Sequence, residues 1–196
     1  MSNFNWYSFL KEESRKAIFN YEYGEIYWTG VDFSDSALES EWLGFPGASE
    51  EQITAAEARL SIKLPLSYRE FLKVTNGWSG YPGVLQLRRT EEIEWFCTEN
   101  QDWIDIWIAS HKNLSPISDE QYLIYGKNLE QDMRMEYLQT ALQISDKLDG
   151  EVIVLNPKVK HNSEWEAWLF SNNIPGARRY RSFWEMLTIR GMSGIP

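Results

Sequence analysis

The sequence predicts an α+β fold in which a mixed, largely antiparallel sheet packs against helices. Helical patterns fill the first part of the chain, two strand patterns follow one another between residues 151 and 170, and a last helical pattern begins after residue 182. Helices and strands that are grouped in this way, rather than alternating, are typical of α+β domains. A length of 196 residues fits one domain, or one domain with an extension.

Three helices are predicted before residue 80. Phe4–Tyr23 has apolar residues at helical spacing. Ser49 and Gln52 form a capping box that starts a second helix, and Ser67 and Glu70 form another that starts a third. The predicted helix stops are Leu64-Pro65 and Asn76-Gly77, and the predicted buried residues are Ile53, Ala56, Leu60, Tyr68, Phe71 and Leu72.

The middle of the chain carries shorter patterns. Glu25–Trp28, Val84–Leu87 and Tyr122–Tyr125 are predicted as short strands. Thr90 is the predicted N-cap of an acidic helical stretch. Lys127–Lys147 has apolar residues at helical spacing, but the pattern leaves the type of element open.

A hairpin and a final helix are predicted in the last third. Glu151–Leu155 is an apolar strand that Asn156-Pro157 is expected to stop, and Glu164–Phe170 alternates as a second strand. Ser182 and Glu185 form a capping box for the last helix. The alternation predicts Trp165, Ala167 and Leu169 on one face of the sheet and Glu166, Trp168 and Phe170 on the other.

The chain is acidic, and its acidity is local. It has 29 Asp and Glu against 19 Lys and Arg, a formal net charge of −10. Residues 17–58 carry −9 and residues 90–111 carry −6, with no Lys or Arg in either segment, so the remainder sums to +5. This balance argues against direct nucleic-acid binding, which needs clustered cations.

Several functional classes find no support in the composition. No apolar run approaches the roughly 18 residues of a membrane span, and the N-terminus lacks a signal-peptide profile. A single cysteine, Cys97, fits a reducing, cytoplasmic location. His111 and His161 form no metal-binding motif, and no cofactor motif is present, so we expect no metal and no cofactor.

No catalytic residues are predicted, although one pair of carboxylates keeps an alternative open. Glu164 and Glu166 are two apart on a predicted strand, where they would share a face. Paired carboxylates with tryptophans that stack on sugar rings would suit a glycoside hydrolase or a sugar-binding module. Such pairs are common by chance in a chain with 29 acidic residues.

The segment EEIEWFCTENQDWIDIW interleaves carboxylates with aromatic residues. An acidic amphipathic helix packed on a core would have this pattern, and so would a surface that binds a basic partner through aromatic anchors. We predict a partner-binding surface formed by Glu91, Glu92, Glu94, Glu99, Asp102, Trp103, Asp105 and Trp107.

Residues Trp42–Trp78 resemble the signature of the SUKH superfamily, the Smi/Knr-type domain. The pattern is a polar loop, a helix with a glutamate (Glu57), then LP-x-S-Y-x-x-F-L and NGW. Leu142–Pro157 and Glu164–Leu187 are similar to later segments of the family. The matching signature residues are Leu64, Pro65, Ser67, Tyr68, Phe71, Leu72, Asn76, Gly77 and Trp78.

The resemblance implies a single α+β domain, which we assign to residues 41–196. Residues 1–40 carry no part of the signature, and we expect them to form a helical extension packed on this domain. It implies a non-enzymatic protein. Bacterial members look mostly like immunity proteins that neutralise a cognate toxin, often a nuclease, whereas a fungal relative regulates cell-wall glucan synthesis. We therefore expect a basic toxin as partner, with no membrane contact, and a regulatory or scaffold adaptor as the alternative.

Overall fold

A five-stranded antiparallel sheet lies at the centre of the computed structural model, which describes residues 4–22, 33–79, 85–113, 115–126, 133–172, 174 and 176–192. The strands lie side by side in chain order, and each pairs antiparallel with its neighbour. With the surrounding helices, this confirms the predicted α+β fold. The strands are β1 (Glu94–Trp95), β2 (Leu142–Gln143), β3 (Glu151–His161), β4 (Glu164–Ser171) and β5 (Gly176–Tyr180).

Helices cover both faces of this sheet. A 3₁₀ helix, Met135–Thr140, precedes β2. Within the described ranges the α-helices are α1 (Trp6–Glu22), α2 (Asp35–Ser40), α3 (Glu50–Leu60), α4 (Leu66–Val74), α5 (Phe96–His111), α6 (Asp119–Tyr122) and α7 (Phe183–Arg190).

The predicted alternation along β4 is confirmed, and it separates two hydrophobic cores. Trp165, Ala167 and Leu169 belong to the first core, with residues of α1, α3, α4 and α7. Trp168 and Phe170 belong to the second core, with residues of α5, α6 and the 3₁₀ helix. Both faces of the sheet are therefore buried, in agreement with the continuous burial of residues 151–156 in β3 and 165–171 in β4.

The prediction that Asn156-Pro157 stops β3 was wrong, because the strand continues to His161. The pairing register shifts between Asn156 and Lys160, which face Glu166 and Trp165 of β4. A proline has no backbone N–H to give to a sheet, so an irregular stretch is a place where a strand tolerates one.

The three predicted capping boxes have different outcomes. At α3 the box is complete, since Ser49 Oγ accepts from the Gln52 N–H and the Gln52 side chain accepts from the Ser49 N–H. At α7 only half forms: Ser182 Oγ accepts from the Glu185 N–H, while the Glu185 carboxylate accepts from the Arg181 N–H.

The prediction of a capping box at Ser67 and Glu70 was wrong. The N-cap of α4 is Pro65, and both the backbone N–H and the hydroxyl of Ser67 donate to the Glu164 carboxylate on β4. A tertiary contact therefore replaces the local cap.

Other local predictions also need correction. The segment Tyr122–Tyr125 is not a strand, because α6 ends at Tyr122 and a turn follows. In the predicted strand Val84–Leu87, Val84 lies outside the described residues and Leu87 makes only isolated bridges, to Trp78 and Ser145. The predicted strand Glu25–Trp28 also lies outside the described residues.

The first helix is anchored to the rest of the molecule. The Trp6 indole N–H donates to the Ser67 carbonyl (2.9 Å), and the buried Glu13 carboxylate accepts from the Met192 N–H after α7 (2.6 Å). Both contacts lie at the first core. Whether residues 1–40 form an extension distinct from residues 41–196 stays a prediction. Among the described helices, none has the length and hydropathy needed to cross a membrane.

Candidate partner-binding surface

The predicted surface residues lie on three consecutive pieces of structure: a turn after Thr90, strand β1 and helix α5. Thr90 was predicted as the N-cap of the acidic helix, and this was wrong, since α5 begins at Phe96. The Thr90 N–H instead donates to the Asn76 side chain (2.8 Å). The family-signature Asn76 thus fixes the turn that carries Glu91 and Glu92.

Glu91 and Glu92 are exposed at this turn. The Glu91 carboxylate accepts from the Thr90 hydroxyl (2.9 Å), and the Glu92 carboxylate accepts from the Arg89 N–H (2.9 Å). Partial burial raises the pKa of Glu91, but hydrogen bonds from its own backbone N–H and from Thr90 and Asn76 outweigh this, so its pKa lies below the usual range. Glu91 therefore keeps its negative charge at neutral pH.

An open hollow of about 510 Å³ lies beside the turn. Five carboxylates and two guanidinium groups line it, which leaves a formal charge of −3. The charged lining residues are Glu91, Glu92, Glu94, Glu99, Asp146, Arg59 and Arg88.

The two arginines compensate part of the hollow's charge. Arg59 forms an ion pair with Glu94 (2.9 Å) and donates to the Ile93 carbonyl (2.7 Å). Arg88 forms ion pairs with Glu99 (2.9 Å) and Asp146 (3.1 Å). Glu94 and Glu99 therefore serve the fold as well as the surface charge.

Helix α5 changes direction at Asn100, which has non-helical backbone angles (φ −136°, ψ 29°). Its buried side chain donates to the Phe96 carbonyl (3.0 Å) and to Gln143 on β2 (2.8 Å), and it accepts from Lys147 (2.8 Å). These three bonds fix how the second half of α5 lies over the second core.

Trp103 and Trp107 lie on the inner side of this second half and are half-buried. Their rings pack on Phe170, with centroids 5.0 Å and 5.3 Å from it. Both indole N–H groups donate to the Asn172 side-chain oxygen, at 2.7 Å and 3.2 Å. The two tryptophans are thus bound into the fold, with only part of each ring open to solvent.

The opposite side of α5 is exposed. Asp102 and Asp105 lie there, and in the described part of the chain neither makes an ion pair; Asp105 accepts from Gln101 (2.8 Å). Ile106 lies directly after Asp105 and one helical turn after Asp102, and it is 67% exposed. The sequence prediction omitted Ile106, although its helical spacing from Asp102 and Ala109 already placed it opposite Ile104.

The carboxylates considered for sugar chemistry are separated. Glu164 accepts from Ser67 at the start of α4, beside the first core. Glu166 is fully buried beside the second core, where it forms an ion pair with Arg179 (2.9 Å). It also accepts hydrogen bonds from Tyr122, Tyr125, Asn156 and Trp168. The two carboxylates are thus held by different partners, and whether they share a face of the sheet stays a prediction.

No group of three or more His, Cys, Asp or Glu side chains is placed to hold a metal ion within the described ranges. Cys97 is a free, half-buried cysteine at the first turn of α5.

A comparison with protein-family models matches residues 47–189 to the SMI1/KNR4 family (SUKH-1). The chain belongs to this family. The resemblance based on the signature of Trp42–Trp78 is thereby confirmed. No curated protein matches the chain.

The SUKH-1 signature is largely buried. Tyr68, Phe71 and Trp78 are each 0% exposed, so Trp78 covers the core and is not an exposed anchor. Glu57, the signature glutamate, is also buried: its carboxylate accepts from the Leu64 N–H (3.0 Å) and pairs with Lys63 (2.7 Å). The signature residues therefore build the fold and leave the acidic surface to other residues.

Proposed function

We propose that this SUKH-1 protein is a non-enzymatic immunity protein that binds and neutralises a basic polymorphic toxin. Its binding surface is the acidic surface, formed by Glu91, Glu92, Glu94, Glu99, Asp102, Trp103, Asp105 and Trp107. One observation carries the proposal: of the six carboxylates between residues 91 and 105, only Glu94 and Glu99 have an arginine partner in the described part of the chain.

The electrostatic reasoning connects this surface to a nuclease toxin. A nuclease holds phosphate groups with clustered lysine and arginine, so its active surface is basic. A negatively charged protein that covers such a surface associates quickly, because the long-range field guides the encounter. The hollow beside Glu91, with its formal charge of −3, adds to this field. Membership of the SUKH-1 family supports a protein as the partner.

Isothermal titration calorimetry tests the proposal. The probe is the catalytically inactive toxin domain encoded beside this gene. It is titrated at salt concentrations from about 50 to about 500 mM, over which the Debye length shortens from about 14 to about 4 Å. We expect binding that weakens as salt rises, and a large further loss when Glu91, Glu92, Asp102 and Asp105 are reversed to lysine. Tight binding that ignores both changes would contradict the electrostatic mechanism.

A growth assay separates the immunity function from the adaptor alternative. Co-expression with the active toxin is expected to protect cells, whereas the variant with the four reversed charges is expected not to. Binding of the toxin domain without protection, or the lack of any toxin gene beside this one, would favour a regulatory adaptor.

A further inference from the structure

We infer that Ile106 is the apolar anchor of the acidic surface, flanked by Asp102 and Asp105, and that the partner presents an apolar hollow rimmed by lysine or arginine. The inference rests on the proposed function and identifies the centre of that surface. It begins with the exposure of Ile106, which is 67%. In the second half of α5, the neighbouring Ile104 is fully buried in the second core.

The tryptophans of α5 are poor candidates for the anchor. An anchor at the centre of an interface must have apolar surface that only the partner buries. Trp103 and Trp107 already place their rings against Phe170 and their indole N–H groups on Asn172. Ile106 belongs to neither hydrophobic core of the described structure, so a partner can enclose most of its side chain.

Charge identifies the chemistry of the occupant. Asp102 lies one helical turn before Ile106 and Asp105 directly before it, and both are exposed without an ion pair in the described ranges. Burying such carboxylates against an apolar or acidic partner would leave them without compensation. A basic rim compensates them, while an apolar hollow inside that rim takes the isoleucine. The partner is therefore a basic protein surface with an apolar centre.

Two pairs of matched variants test this inference in calorimetry with the inactive toxin domain. Ile106→Ser is compared with Ile189→Ser, because Ile189 on α7 is also 67% exposed. Asp105→Lys is compared with Glu39→Lys, which makes the same charge change at an exposed residue of α2. We expect Ile106→Ser to weaken binding by about tenfold or more, and Ile189→Ser to change it by less than about twofold.

The results separate a failure of the inference from a failure of the proposed function on which it rests. Asp105→Lys is expected to weaken binding more than Glu39→Lys, because only Asp105 would face the basic rim. Unchanged binding by Ile106→Ser, or equal losses within either pair, would overturn the inference while the unmodified chain still binds. If the unmodified chain does not bind the toxin domain, the proposed function fails and the inference fails with it. Circular dichroism checks that all four variants are folded.

Discussion

The α3–α4 hairpin and helix α5 use acidic side chains in opposite ways. On the hairpin, Glu57 is buried between Lys63 and Arg69, and Glu50 pairs with Arg69 and Lys73. On the second half of α5, Asp102 and Asp105 face solvent and have no cationic partner in the described structure. The same acidic chain thus contains carboxylates that hold the fold together and, in a different region, carboxylates that remain available to a partner.

The largest expected effect is on the hairpin side. Phe71 is fully buried, and its ring lies against Trp6 and Phe183 at centroid distances of 5.3 and 5.2 Å. Phe71→Ala should lower the free energy of unfolding by about 3–5 kcal/mol, because it opens a cavity in the first core. Urea denaturation measures this value. The exposed Ile106→Ala is the control and should lower it by less than about 0.5 kcal/mol. Equal losses in the two variants would contradict the prediction.

A smaller effect is expected at Glu57. Burial raises its pKa, but hydrogen bonds from Lys63, Arg69 and the Leu64 N–H outweigh this, so its pKa lies below the usual value. A carboxylate with a lowered folded-state pKa stabilises the protein above its unfolded-state pKa, and that stabilisation disappears as pH falls through the folded-state pKa. Glu57→Gln should therefore cost about 1–3 kcal/mol at pH 7.

Denaturation of the wild type and Glu57→Gln between pH 7 and pH 3 checks this prediction. The difference in unfolding free energy should shrink as the pH falls below about 4.3, the unperturbed pKa of glutamate. Glu39→Gln, the same change at an exposed residue of α2, is the control and should have a much smaller effect at pH 7. A loss at Glu57 that does not depend on pH would show that its charge contributes nothing.

The smallest effect is expected in the hollow beside α5. Arg88→Gln removes a cation that pairs with Glu99 and Asp146, so the formal charge of the hollow changes from −3 to −4. Stopped-flow association with the toxin domain should be about twofold faster at low salt and unchanged at high salt. Lys158→Gln makes the same charge change at an exposed residue of β3 and should have less effect. Equal acceleration by both variants would reflect net charge alone.

Features that depend on local chemistry could be predicted from the sequence. The capping box at Ser49 and the alternation of β4 need only neighbouring residues, and both are present. The start of α4 could not be predicted, because Ser67 bonds to Glu164, which is 97 residues away in sequence. Strands β1 and β2 have two residues each, so only their pairing defines them.

The candidate surface was predictable in part. Charge counting along the sequence identifies its acidic residues, but it does not show which of them are buried and which are exposed. The orientation of Trp103 depends on Asn172, 69 residues later, and the direction of α5 depends on the bond from Asn100 to Gln143, 43 residues later. These long-range contacts turn the tryptophans inward and leave Ile106 outward. Helical spacing alone shows which residues of α5 share a side, but it does not show which side faces the core.

Hydroxyl-radical footprinting of the complex with the inactive toxin domain tests the central claim most directly. The method measures how accessible individual side chains are, and Ile106 and Ile189 start from the same exposure of 67%. Oxidation of Ile106 and of the partly exposed Trp103 and Trp107 is predicted to fall on binding, while oxidation of Ile189 stays constant. Protection of Ile189 or of the α3–α4 hairpin, with Ile106 still oxidised as in the free protein, would contradict the account.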